Sequence, residues 1–246
     1  MKGRDTLVAA AAILLVWQII SWGLRLSILP GPAEVLRAFV VALPQDLGRH
    51  FLVSGLRVLA SIILAVLTAW PLGLALGQSP RLDRLLAPAI YLIYPVPKIV
   101  FLPIVLLLLG IGNLSKVFII AFILFFQILV VVRDAAGGIR PELVHSVRSL
   151  GAGRRALFRF VYLPACLPAV LTALRVSTGT AVAVLFFAES FATTSGLGYY
   201  IIVETWGRLA YPEMYAGVVG MALLGFLLYA ALDQLEKRLC PWLNLA

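Results

Sequence analysis

The chain has 246 residues, 62% of them hydrophobic and only 13% charged, with a mean hydropathy of +1.03. A soluble domain carries about 25% charged residues, so this much apolar surface excludes an ordinary soluble fold. The net charge of +9 would point to nucleic acid in a soluble protein. Here, however, Lys and Arg stand singly in short connections between apolar runs, so they are topology signals and no nucleic-acid surface is expected.

Each crossing of a hydrocarbon layer about 30 Å thick needs roughly 20 apolar residues. Stretches of that kind fall at 7–23, 58–77, 86–109, 114–132, 167–189 and 213–232. The expectation is an all-α membrane protein with about six transmembrane helices in a single domain, residues 1–246, with no room for a soluble enzymatic domain. The first stretch follows Met1-Lys2-Gly3-Arg4-Asp5, which has the charge of a secretory leader. The residues after it, Gly23-Leu24-Arg25-Leu26, offer no small-x-small cleavage site, so it reads as an uncleaved span.

After a Leu29-Pro30-Gly31-Pro32 turn, Val35, Leu36, Phe39, Val40 and Leu43 recur at helical spacing, predicting a short helix over 32–43 along the membrane surface. In the second span Ser61, Ala65, Ala69, Gly73 and Gly77 recur every four residues. Such small-residue rows let helices approach closely, either within the chain or between copies. The third stretch contains Pro88, Pro95, Pro97 and Pro103, and proline removes a backbone donor, so this span should be broken or bent. In the fifth, Ala169, Ala173, Ser177 and Ala181 form a second small-residue row.

With the N-terminus inside, Lys2, Arg4, Arg81, Arg84, Arg133, Arg140, Arg154 and Arg155 all fall on the cytoplasmic side, while Arg25, Arg37, Arg49, Lys116 and Arg208 fall outside. That bias favours an N-in, C-in topology. Cys166 and Cys240 lie far apart near prolines, with no metal-ligand spacing around either.

The longest inner connection, 133–168, is the most informative segment. Leu143, Val147 and Leu150 share one face of a short helix, Gly151 and Gly153 supply a turn, and a second helix follows. On that helix Leu157, Phe160 and Val161 form one side and Arg155 and Arg159 the other. Periodicity alone leaves two readings level: a loop resting on lipid headgroups, or a docking element.

The spacing of this segment resembles the signature of permease subunits of binding-protein-dependent ABC importers: Glu-Ala-Ala, three residues, Gly, nine residues, an aliphatic residue, any residue, then Leu-Pro. Gly151 is followed by nine residues and then by Val161, Tyr162, Leu163 and Pro164; His145-Ser146-Val147 stands where the family has Glu-Ala-Ala. That departure leaves the family's acidic residue without a counterpart. The resemblance extends to Ser54-Gly55-Leu56-Arg57, Tyr94-Pro95-Val96-Pro97, Leu109-Gly110-Ile111-Gly112 and Ser195-Gly196-Leu197-Gly198-Tyr199, and is nearest to the taurine, alkanesulfonate and nitrate branch.

That resemblance implies a type I importer permease of MetI-like fold in a bacterial inner membrane, with a cytoplasmic coupling helix between spans four and five. It implies a homodimer, two cytoplasmic ATPase subunits that bind ATP and Mg, and an external solute-binding protein that delivers a small solute, an anion such as a sulfonate, taurine or nitrate. The ATPase-coupling residues it implies are Leu143, His145, Ser146, Val147, Leu150, Gly151, Ala152, Leu157, Leu163 and Pro164.

The chain has no Gly-x-x-x-x-Gly-Lys-Ser/Thr loop, so ATP hydrolysis and its cofactors are expected in a partner, and no catalytic motif marks it as an enzyme. Ionisable groups inside spans are functional candidates by default: here Lys98, Arg175 and Glu189. Lys98 follows the proline break, either meeting an anion at the kink or snorkelling to a headgroup. Arg175 and Glu189 lie about 21 Å apart along one helix, so each needs another partner. An Ala-Glu pair resembling Ala188-Glu189 closes this span in the family, which implies a structural or gating role for Glu189. Lys98, Gln127, Ser177 and Glu189, with Thr178 and Thr180, are the pathway candidates. An ion-coupled secondary transporter is the alternative reading; it calls for repeated halves, and the chain has no convincing internal repeat.

Overall fold

Prolines and glycines set most helix boundaries in the computed structural model, which describes residues 3–191 and 193–242. Lys2, one of the inner-side basic residues of the sequence reading, lies outside the described residues. Helix α1 runs Gly3–Leu24 and α2 runs Pro32–Ala42, with Pro32 in its first turn, where the missing N–H is harmless. At Gln45 the backbone leaves the helical region (φ −100°, ψ −115°), and α3 then runs Gly48–Gln78. Ser79 caps α4, Pro80–Ile93, by accepting from the Leu82 N–H.

The expected break follows. Residues 94–97 leave the helix, a 3₁₀ turn covers Lys98–Phe101, and α5 runs Leu102–Leu109, the two halves meeting at 81°. Helix α6 is Asn113–Gly137 and α7 is Pro141–Ser149. Helix α8, Arg154–Leu157, passes through a π-helical turn into α9, Leu163–Ser190, so that 154–190 is one continuous helix. Helix α10, Leu197–Tyr199, continues as a π-helical turn to Thr205, and α11 is Tyr211–Leu239. There is no strand among the described residues.

Among the described residues four helical stretches, Pro32–Gln78, Asn113–Gly137, Arg154–Ser190 and Tyr211–Leu239, are long and apolar enough to cross a membrane, and the bent pair of α4 and Lys98–Leu109 is a further candidate. Val8–Leu24 forms a shorter apolar helix.

Some boundaries differ from the sequence reading because polar residues that looked like loop markers are buried inside helices. Helix α3 starts at Gly48, ten residues before the expected 58–77, because His50, Ser54 and Arg57 are all buried. Lys116, counted with the outer-side residues near the start of the fourth span, is buried in α6. The segment 133–168 is no extended connection, since α6 reaches Gly137 and the next long helix begins at Arg154.

The chain packs into two compact units, Met1–Gly55 with Glu189–Leu224, and Leu56–Ala188 with Gly225–Ala246. In the first, α1 is pinned by the Trp17 indole N–H donating to the Pro30 carbonyl at 3.1 Å and by its ring against Tyr215. In the second, the α3 small-residue row closes on α6. A Cβ at Gly73 would stand 2.8 Å from Val132 Cβ, and one at Gly77 would stand 2.5 Å from the Arg133 carbonyl. The row is therefore an intramolecular packing face, as Ser61, Ala65 and Ala69, all fully buried, also require.

Candidate functional site

The second unit carries a groove of about 660 Å³ lined by Gln127, Ser177, Thr172, Thr180 and Tyr94 among apolar residues that include Val131 and Val176. On α9 the lining positions 169, 172, 173, 176, 177 and 180 recur at the three- and four-residue spacing of one helix face. The small row of Ala169, Ala173 and Ser177 is thus the groove wall, where small side chains leave space. Two sequence candidates, Gln127 on α6 and Ser177 on α9, meet here, and Thr180 joins them. The Gln127 Oε1 is buried without a hydrogen-bond partner among the described residues. Thr178 does not line the groove; its hydroxyl donates to the Leu174 carbonyl within α9.

Lys98 occupies neither of its two expected positions. Its side chain is only 8% exposed, and the ammonium donates to the carbonyls of Ile93, Tyr94 and Val96 at 3.2, 2.7 and 3.2 Å. The Ile93 carbonyl also accepts the Val96 N–H at 3.1 Å, while for those of Tyr94 and Val96 the break after α4 removes the helical donor, so the lysine caps the broken end. The Phe126 ring, 4.8 Å from Nζ, covers the charge from the other side. Tyr94, whose carbonyl takes the shortest of these bonds, lines the groove.

Arg175 finds the partners that the sequence left open. Its Nη1 lies 2.8 Å from Asp233 Oδ1 and 3.0 Å from Glu236 Oε2, both on α11. Thr172 donates to Glu236 Oε1 at 2.9 Å, and Lys237 completes the cluster on Asp233. Asp233 and Glu236 escaped the sequence reading because they lie beyond the expected end of the sixth span. Their i, i+3 placement facing Thr172 and Arg175, also i, i+3, is the signal that could have found them.

In the first unit, Glu189 is fully buried and stands at the centre of a polar cluster. Ser54 Oγ lies 2.9 and 2.7 Å from its two carboxyl oxygens, and the Gly198 N–H donates to Oε2 at 3.1 Å. The preceding amides are also taken: Leu197 N–H donates to Ser54 Oγ and Gly196 N–H to His50 Nδ1, at 2.8 and 2.9 Å. With Nδ1 accepting, the His50 ring proton sits on Nε2, which faces Glu204 at 3.3 Å. Gly196 has φ +114°, and a Cβ there would collide with the Glu189 carboxyl. Two sequence stretches noted only for resemblance, Ser54-Gly55 and Ser195-Gly196-Leu197-Gly198-Tyr199, thus meet on one carboxylate. Tyr200 packs its ring on His50, and burial, then Glu213, Glu204 and Asp46, pushes its hydroxyl up to about 12.

Helix α7 has no buried residue: Leu143 is exposed, Val147 half-buried and Leu150 85% exposed, with His145 and Ser146 also exposed. Gly151 ends it at φ +84°, a conformation only glycine adopts cheaply. Ala152 is half-buried, and Leu157 and Val161 are buried, but Phe160 is 67% exposed and leaves the expected stripe. The π-helical turn over Phe158–Tyr162 explains it, because i→i+5 bonding places residues four apart, not three, on one side. Leu163 and Pro164 are half-buried at the start of α9, inside the continuous helix, not at an exit from it.

An all-helical membrane chain with a broken span, a small-residue groove and a glycine-ended surface helix has the architecture of an importer permease. The chain belongs to the family "Binding-protein-dependent transport system inner membrane component", which it matches over residues 61–241. It is 34% identical over 241 residues to the taurine transport system permease protein TauC of Escherichia coli (strain K12), covering 94% of this chain and 87% of that one. It is 29% identical over 248 residues to the putative aliphatic sulfonates transport permease protein SsuC of Bacillus subtilis (strain 168), covering 99% and 88%. A chain of the MetNI methionine ABC transporter in an inward-facing conformation shares the fold, with TM-score 0.65 and 20% identity over 78% of this chain and 95% of the other. The protein is a permease subunit of an ABC importer, a multi-pass component of the inner membrane.

Proposed function

We propose that this permease forms the pathway for a small solute that bears a sulfonate group, an anionic aliphatic sulfonate or the zwitterion taurine. The support is that relatives covering almost the whole chain carry those names. Two copies form the pathway, an external binding protein delivers the solute, and two cytoplasmic ATPases bind ATP and Mg and drive the cycle. The N-terminus, the α7 segment and the C-terminus share the cytoplasmic side, in keeping with the distribution of basic residues.

The observation that carries the coupling role is α7 itself. A short helix with no fully buried residue, which presents Leu143, Val147 and Leu150 beside a glycine at positive φ, is built to dock on another protein. His145, Ser146, Ala152, Leu157, Leu163 and Pro164 complete that coupling segment. Gln127 and Ser177 line the path and Lys98 holds its wall by capping the broken span, whereas Glu189, in the other unit, clamps the loop at 195–199.

The test is reconstitution of permease, cognate ATPase and binding protein in liposomes. Taurine or ethanesulfonate uptake that requires all three components and ATP is expected. Uptake or ATP hydrolysis by the permease alone would overturn the assignment of energy coupling to a partner.

A further inference from the structure

The groove and the cations of its unit show a division of labour that bears on how an anion passes. None of the residues lining the groove is charged; its polar contributions are an amide and hydroxyls. Four basic residues of the surrounding helices are turned to acceptors within the chain. Lys98 faces three carbonyls, Arg175 two carboxylates, Arg57 the Asn113 Oδ1 at 2.9 and 2.7 Å, and Arg133 the Asp83 carboxylate in a two-pronged pair. Two of these lie at the groove's edge: Tyr94, which lines it, gives its carbonyl to Lys98, and Thr172, which also lines it, donates to the carboxylate that faces Arg175.

We infer that the groove is a charge-neutral passage in which the Gln127 amide and the Ser177 and Thr180 hydroxyls hand an anion along, while pairing of Lys98 and Arg175 keeps the passage from becoming a trap. This rests on the proposal that the solute is an anion. Hydroxyls and an amide N–H donate to sulfonate oxygens and exchange readily, whereas a bare cation in a low-dielectric groove holds an anion far longer. At contact distance and an effective dielectric constant near 20, the difference is about a thousandfold in residence time. Conduction requires that binding be weak enough for release.

The test uses the complete importer in liposomes, with labelled ethanesulfonate, a net anion, and taurine, a net-neutral zwitterion, as probes. Recovery of the assembled complex is checked for each variant. Gln127→Arg is expected to lower ethanesulfonate uptake about tenfold and taurine uptake about threefold or less, and Asp233→Asn with Glu236→Gln, which frees Arg175, to shift the ratio the same way. Misfolding would lower both probes together, so the ratio between them is the readout. An unchanged or increased ethanesulfonate-to-taurine ratio in both variants overturns the neutral-passage inference while leaving the function intact. Failure of the unmodified complex to transport either sulfonate overturns the anion reading, and the inference with it.

Discussion

Ser54 and Glu189, 135 positions apart in sequence, are joined by a hydroxyl that donates to the carboxylate while accepting from the Leu197 amide. The serine therefore spends both of its hydrogen-bonding functions on fixing the loop that follows α9. Replacing Glu189 by Ala leaves the Gly198 N–H and the Ser54 hydroxyl without an acceptor in a buried place, at about 1–3 kcal/mol for each such group. Glu189→Ala should lower the detergent-solubilised unfolding temperature by several degrees, at roughly 2–4 °C per kcal/mol for a chain of this size. It should also open the 194–200 segment to limited proteolysis. An unfolding temperature equal to that of the unmodified protein would show that the clamp has no structural role.

Gly151 allows a sharper comparison. Its φ of +84° costs a residue with a Cβ roughly 1–2 kcal/mol, and Asn tolerates that region better than Val. Nothing stands within 4 Å of a Cβ placed there, so the penalty is conformational, with no steric part. Gly151→Val should insert normally but lose ATPase co-purification or solute-stimulated hydrolysis, and Gly151→Asn should be affected less. Equal behaviour of Val, Asn and Gly at this position would refute the coupling role of the turn.

Arg175 and Asp233 should couple energetically. A double-mutant cycle with Arg175→Met and Asp233→Asn, read by thermal unfolding, should give an interaction energy of about 0.5–3 kcal/mol. Each single change leaves a partly buried charge facing a lost partner, so the two effects together should fall short of their sum. Strict additivity would mean that the pair contributes nothing.

Topology can be checked without first removing the native thiols, because Cys166 and Cys240 are both buried. Single cysteines introduced at Gly3 and Arg155 should resist an impermeant maleimide in intact cells and react after permeabilisation. Labelling of the Arg155→Cys protein from outside would reverse the orientation.

The parts of the fold that were legible in the sequence depend on near neighbours. Pro95 and Pro97 announced the break because a missing donor acts locally, and Gly151 announced its positive φ because it followed an amphipathic turn. The pairing of Arg175 with Asp233 and the cluster on Glu189 were not legible, since they join helices far apart in the chain and no local pattern encodes the partner. Lys98 was misjudged in kind. The sequence showed an amine at membrane depth, but not the three carbonyls that its own kink gathers around it, and these are what it binds. The extra turns at the start of α3 were hidden in the same way, by polar residues that looked like loop and are buried.

The unbroken course of the helix from Arg154 to Ser190 has a mechanical consequence. At about 1.5 Å per residue its 37 residues form a rod about 55 Å long. Pivoted at one end, such a rod turns a tilt of about 5° into a displacement of about 5 Å at the other, close to the pitch of one helical turn. The π-helical turn at Phe158–Tyr162 lies near the Arg154 end, so any give at that turn shortens the lever only slightly. A modest rotation applied beside α7 is therefore enough to shift the far tip of α9 by a full turn's height, with the groove-lining residues at intermediate points along the same shaft.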